Sequence, residues 1–318
     1  MKLKTVLSIF IVTATVFIHC DAFSGEKDNA SDGTKALKVS AGYDLWYAMW
    51  KVKGFALDDT TNVHKSSDFK IDPTFIHGLS FSAESGSQKK GGWNVMLDLY
   101  GDYINRESSN ASGKKTDLLK ALVSYGISDD KQLMTQIQTG NFKGELAGES
   151  SFSTKWTKID LLLANPKSGF GYGVRYLQYR MPVEFSHVSK AGADLGHVTY
   201  DTDTTGIAFV VKSTDPINFG KDNGKWYYLD GDFAFGISSA KAKELTDDVY
   251  GFQFNSQIDA GVKKAFKVGQ GLVALKAGYR VFFDAQILSE WINSNGANTT
   301  STLRNFFHGP FVGIVGSF

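Results

Sequence analysis

From Leu37 to the C-terminus, apolar and polar residues alternate with a period of two. In the first segment Val39, Ala41, Tyr43, Leu45, Tyr47 and Met49 share one face, and Lys38, Ser40, Gly42, Asp44 and Trp46 share the other. The split recurs along the chain. Phe75, Leu79 and Phe81 oppose Ser80, Ser82 and Glu84; Trp93, Val95, Leu97, Leu99 and Tyr103 oppose Asn94, Asp98 and Asp102. Leu119, Ala121, Val123 and Tyr125 oppose Lys120 and Ser124, and Ile159, Leu161 and Leu163 oppose Lys158 and Asp160. Tyr227, Leu229, Phe233 and Phe235 oppose Asp230 and Asp232; Phe252, Phe254, Ile258 and Val262 oppose Asp259 and Lys263; Val273, Leu275, Tyr279 and Val281 oppose Lys276, Arg280 and Asp284. Successive side chains of a strand point to opposite faces, so each segment reads as a strand with one apolar face. Stretches near 133–144, 170–181 and 204–213 follow the pattern less cleanly. With the final run from His308 to Phe318, about twelve strands are expected.

Alternation alone fits a soluble sandwich as well as a membrane barrel, since both have one apolar and one polar face. The connections separate them. The odd ones span residues 51–71, 106–115, 145–155, 182–197, 240–248 and 287–305; the even ones span 85–92, 128–131, 165–169, 214–225 and 267–270. Long alternates with short, 214–225 being the oversized exception. The pattern predicts an all-β, transmembrane, antiparallel up-and-down barrel with long extracellular loops and short periplasmic turns. Tyr43, Tyr47, Trp50, Trp93, Tyr103, Tyr125, Tyr172 and Tyr227 lie towards segment ends, as an aromatic girdle at the lipid headgroups requires.

The last segment, H-G-P-F-V-G-I-V-G-S-F, places Val312 and Ile314 on one face and ends on an aromatic, Phe318. It resembles the C-terminal strand of Gram-negative outer-membrane β-barrel and porin-like proteins, with no subfamily indicated. The resemblance implies that this strand closes the barrel and that Val312, Ile314 and Phe318 form the signal read by the barrel-assembly machinery. It also implies residence in the bacterial outer membrane, among lipid and lipopolysaccharide. Residues 1–22 fit a secretory signal: Lys2 and Lys4, an apolar run over 6–17, and small residues at Cys20-Asp21-Ala22. Residues 23–36 read as a flexible lead-in and 37–318 as the barrel. Cys20 is the sole cysteine, which excludes an intrachain disulfide; His19 before it departs from the small residue that lipidation of Cys20 would call for.

A formal net charge of +1 over 318 residues argues against nucleic acid as a partner. A mean hydropathy of −0.18 is far from that of a helical membrane protein. The polar faces would line the barrel, giving Asp44, Asp98, Asp102, Lys120, Lys158, Asp160, Arg175, Asp230, Asp232, Asp259, Lys263, Lys276, Arg280 and Asp284 as pore-lining candidates. Hairpin register sets Asp160 opposite Arg175, Lys120 diagonally between Asp98 and Asp102, and Asp259 within reach of Arg280. Mixed charge of this kind suits a narrow passive channel for small polar solutes. That channel is the leading expectation, and the alternative is a sealed barrel that acts through its outer loops as an adhesin or structural protein. A third reading rests on His187-Val188-Ser189, which resembles the His-x-Ser of outer-membrane phospholipases. There an Asn and a Gly follow the Ser; here Lys190 and Ala191 do. No cofactor or metal-binding spacing is present, and no enzyme is expected.

Overall fold

The computed structural model of the chain describes residues 37–58, 63–86, 90–101, 115–145, 151–188, 194–214, 217–219, 227–242, 249–268, 271–289 and 299–317. Its strands are β1 (Leu37–Asp58), β2 (Val63–Ser85), β3 (Trp93–Gly101), β4 (Lys115–Ser128), β5 (Lys131–Glu145), β6 (Ser151–Asn165), β7 (Phe170–Val188), β8 (Asp194–Ser213), β9 (Ile217–Phe219), β10 (Tyr227–Ala242), β11 (Val249–Val268), β12 (Gly271–Ser289) and β13 (Thr299–Ser317). Each strand pairs antiparallel with the next, except that β8 passes over the three-residue β9 to pair with β10. The last strand returns to the first, from Ser40 opposite Ser317 to Asp58 opposite Thr299. With β9 set aside as a spur on β10, the thirteen-strand sheet is a closed ring of twelve strands. Closure gives each of the twelve strands a paired neighbour on both sides.

The period-two pattern decides which face turns inward. Outward-facing Phe75, Phe81, Val174, Phe209, Phe235, Phe252 and Ile314 are exposed, whereas Asp44, Trp46, Asp160, Arg175 and Leu162 are buried inside. A wall that is apolar on its outside and has its backbone polar groups paired within the ladder is matched to hydrocarbon, not water. On the same outward face, Leu119, Ala121 and Ile137 pack against Leu97, Leu99 and Ile159 as one stretch across β3–β6. Val312 and Ile314 also face outward; Phe318, residues 1–36 and Asp102 lie outside the described residues.

Three of the long outer loops expected from the sequence, 51–71, 182–197 and 287–305, are corrected by the ladders, while nearly all of 106–115 and most of 240–248 lie outside the described residues. Lys51 to Asp58 pairs with Val63 to Lys70, Val183 to Ser186 pairs with His197 to Tyr200, and Ile287 to Ser289 pairs with Thr300 to Thr302. Most of each predicted loop is thus strand. The reason is physical: beyond the bilayer neither face need be apolar, so the alternation fades while backbone pairing continues. With 22 and 23 residues, β1 and β2 far exceed the ~9–11 that a tilted strand needs to span a membrane. His187 likewise belongs to β7 and not to a loop, while Ser189 lies outside the described residues.

At the opposite rim, where Leu37 and Ser317 lie, the turn between β6 and β7 is tight. Asn165 accepts hydrogen bonds at its side-chain oxygen from the backbone N–H groups of Lys167 (2.9 Å) and Ser168 (3.3 Å). Gly169, at φ +74°, then donates its N–H back to the Asn165 carbonyl. That left-handed conformation is open to glycine at little cost. Pro310 interrupts the closing seam: β1–β13 pairing skips Tyr47 and Ala48 against Gly309 and Pro310, because proline has no N–H to donate.

Candidate functional site

The candidate site is the barrel interior, and its centre is filled. Arg175 on β7 and Asp160 on β6 are directly opposite one another in register. The pair is bidentate, Arg175 Nε donating to Asp160 Oδ1 at 2.7 Å and Nη2 to Oδ2 at 2.8 Å. The remaining nitrogen, Nη1, donates to Asp232 Oδ1 on β10 at 2.9 Å. The Arg175 and Asp160 side chains are 0% exposed and Asp232 is 2% exposed. Lys212 Nζ, 3.9 Å from Asp232 Oδ2, balances the cluster as two cations and two carboxylates. Fork-to-carboxylate geometry is the arrangement in which a buried guanidinium is best compensated.

Other contacts cross the lumen. Lys158 on β6 donates to Asp284 Oδ1 on β12 at 2.9 Å, and Asn255 on β11 donates to the same oxygen at 3.0 Å. Thr204 on β8 donates to Gln286 Oε1 on β12 at 3.2 Å. Gln136, Gln138 and Gln253 fill the intervening space and are buried. Towards the far rim, Trp50 stacks on Phe307, and Trp156 from the other side of the ring approaches the same Phe307 at 5.9 Å between ring centroids. Asn305 links this layer, accepting from Trp50 Nε1 and donating to the Tyr179 hydroxyl.

Towards the terminal rim the interior divides in two. Under β4–β10, Leu122, Met134, Leu162, Ala164, Ala208, Val210 and Ala234 form an apolar plug. Beside it lies a cavity of about 240 Å³ lined by Ser40, Asp44, Ser80, Asp98, Tyr100, Lys120, Asp230, Gln257, Asp259, Lys276 and Arg280, among others. Arg280 forms its inner end. Its Nη2 pairs with Asp259 at 2.8 Å and lies 3.5 Å from Asp44, while its guanidinium carbon sits 5.5, 5.0 and 4.7 Å from the Trp46, Tyr100 and Phe311 rings. Lys276 Nζ donates to Asp44 Oδ2 at 3.0 Å.

Of the residues expected on the inner face, Asp44, Asp98, Lys120, Lys158, Asp160, Arg175, Asp232, Arg280 and Asp284 are buried, and Asp230, Asp259, Lys263 and Lys276 are half-buried. The Asp160–Arg175 and Asp259–Arg280 pairings form as the hairpin registers predict. Lys120 is directly opposite Asp98, not diagonal to it, because β3 and β4 pair two residues away from the expected register, which keeps both side chains on the inner face. Trp50 is another correction: it is buried inside, not in an outer girdle. Sequence reasoning places Trp46 on the inner face with Asp44, as observed, but misses the interior aromatics Trp156, Tyr179, Phe282, Phe307 and Phe311. Parity held the signal, since Trp46 and Trp50 share the face of Asp44, but large aromatics on a membrane strand were assigned by preference to lipid.

No family model matches the sequence, and no curated protein matches it. Similar solved structures include the outer membrane protease OmpT from Escherichia coli, at 10% identity over 91% of this chain and 99% of that one, with a TM-score of 0.35. A Pseudomonas aeruginosa FadL homologue shares 9% identity over 88% of this chain and 90% of its own, with a TM-score of 0.33. The translocator domain of the autotransporter NalP from Neisseria meningitidis shares 13% identity over 96% of each chain, with a TM-score of 0.31. Their differing descriptions assign this chain no activity, and the barrel stands on its own ladders.

Proposed function

We propose that the protein is a sealed outer-membrane barrel of a Gram-negative bacterium, whose projecting hairpins form its working surface as an adhesin or structural protein. One observation carries this reading: the Arg175–Asp160–Asp232 cluster at the centre of the lumen is shut off from solvent. The hairpins support it. Past Met49 the strand reads Lys51-Val52-Lys53 and runs on to Asp58. At ~3.3 Å per residue and a tilt of ~40°, that extension lifts its tip about 20 Å above the bilayer. Lipid and lipopolysaccharide would surround the wall, and Val312 and Ile314 would serve the assembly machinery.

Single-channel recording in a planar bilayer tests the seal. Folded, inserted wild-type protein should give no discrete conductance steps. Stable steps would overturn the sealed reading. They would return the assignment to a narrow passive channel for small polar solutes, a second reading favoured by the charged cavity and by a seal built of side chains and not backbone.

A further inference from the structure

We propose that the interior cavity on the terminal-rim side is a binding site for a small zwitterion, a molecule bearing one ammonium and one carboxylate, of amino-acid or dipeptide size. Asp98 on β3 and Lys120 on β4 carry the inference. They are directly opposite in the ladder, both line the cavity, and they are only 7% and 8% exposed. Directly opposite residues have Cβ atoms roughly 4.5–5.5 Å apart, close enough for a lysine and an aspartate to join. Yet among the described residues neither side chain makes a hydrogen bond or an ion pair within 4 Å. A buried carboxylate and a buried ammonium thus stand side by side, each presented to the cavity without a direct partner.

The other charges of the wall are already engaged. Asp44 and Asp259 hold Lys276 and Arg280, and Asp230 accepts a hydrogen bond from the Ser213 hydroxyl. Of the charged groups on this wall, the two with neither a hydrogen bond nor an ion pair are one positive and one negative. A ligand ammonium would sit on Asp98 and its carboxylate on Lys120, leaving the local charge balance unchanged. A simple anion or cation would satisfy one group and crowd the other. Gln138 Nε2, also without a partner, adds a donor to the same wall. Met96, Leu118 and Phe282 offer apolar surface for a short side chain. The volume, about 240 Å³, falls below the ~300–1,000 Å³ of pockets for drug-sized ligands, which fits a small metabolite. This site is separate from the hairpin surface, and its occupancy can be measured whether or not the hairpins bind anything.

The experiment is isothermal titration of the refolded full-length mature barrel in detergent with four probes: L-alanine, glycylglycine, N-acetylalanine as the anion alone, and alaninamide as the cation alone. The inference expects saturable binding of at least one zwitterion and none of the singly charged probes. Asp98→Asn and Lys120→Gln should each weaken zwitterion binding about tenfold or more, as expected for loss of a charge-assisted contact. They should also shift preference in opposite directions, Asp98→Asn towards N-acetylalanine and Lys120→Gln towards alaninamide. A merely damaged fold would not produce that crossed preference, and retained heat-modifiable mobility on gels confirms folding. Absence of saturable binding by both zwitterions up to about 100 mM, wild-type binding of a single-charge probe, or zwitterion binding unmoved by both substitutions would overturn the proposal.

Discussion

Replacing Arg175 by methionine keeps an unbranched apolar stem and removes three charge-assisted hydrogen bonds, at 2.7, 2.8 and 2.9 Å. Asp160 and Asp232 then share one remaining cation, Lys212, whose Nζ lies 3.9 Å from Asp232. Removing one partner of a buried ion pair costs about 3–5 kcal/mol, because the charge left behind is neither hydrated nor compensated. Arg175→Met should therefore destabilise the barrel by that amount. Adding Asp160→Asn restores neutrality, leaving Asp232 with Lys212, and should recover about 2–3 kcal/mol of the loss as coupling between the two sites. Equilibrium urea unfolding in lipid vesicles, followed by tryptophan fluorescence, measures both effects. An unchanged denaturant slope would show that the unfolded reference has not moved. A loss below about 1 kcal/mol for Arg175→Met would mean that water already reaches the stranded carboxylates. The dry centre on which the sealed-barrel reading rests would then be refuted.

Two further substitutions probe the two faces of the wall. A Cβ at Gly140 would lie 2.4 Å from the Trp156 ring, so Gly140→Ala should cost about 1–3 kcal/mol by overpacking. Adding Trp156→Phe should recover part of that loss in the same unfolding assay, and no recovery would place the cost elsewhere. Phe209, exposed on the outward face, should tolerate leucine but lose about 2–4 kcal/mol as Phe209→Arg if that face meets hydrocarbon. An arginine accepted there without loss in vesicles would contradict a lipid-facing wall.

The fold was legible because a strand in a barrel wall has a single rule, and Val39–Met49 against Lys38–Trp46 obeys it residue by residue. Register was legible wherever a turn was short. The turn at Asn165–Gly169 fixes Asp160 against Arg175, whereas the longer connection before β4 leaves the Asp98–Lys120 pairing displaced by two positions from the expected register. The hairpin extensions were lost for a different reason. Outside the bilayer the sequence around Lys51 and Lys53 has no apolar face to keep, and pairing there is a backbone property with no side-chain signature. The interior site was half visible. Charges betray an inward face, but contacts across the lumen, such as Lys158 with Asp284 or Trp156 with Phe307, depend on how the ring closes. No local pattern encodes that.

The tie across the lumen has a consequence in time as well as in energy. Lys158 and Asp284 are separated by 126 residues, as are Tyr179 and Asn305, and Trp50 and Asn305 by 255. Neighbouring hairpins can form in succession, but these groups meet only once β13 has found β1. They are therefore absent from the folding transition state if closure follows it, and contacts made that late act on the unfolding rate alone. Lys158→Met should speed unfolding in vesicles and leave the refolding rate in place; slowed refolding would show that the lumen fills before the ring shuts. The interior side chains would then set how long the barrel lasts in the membrane, and the ladders how fast it is made.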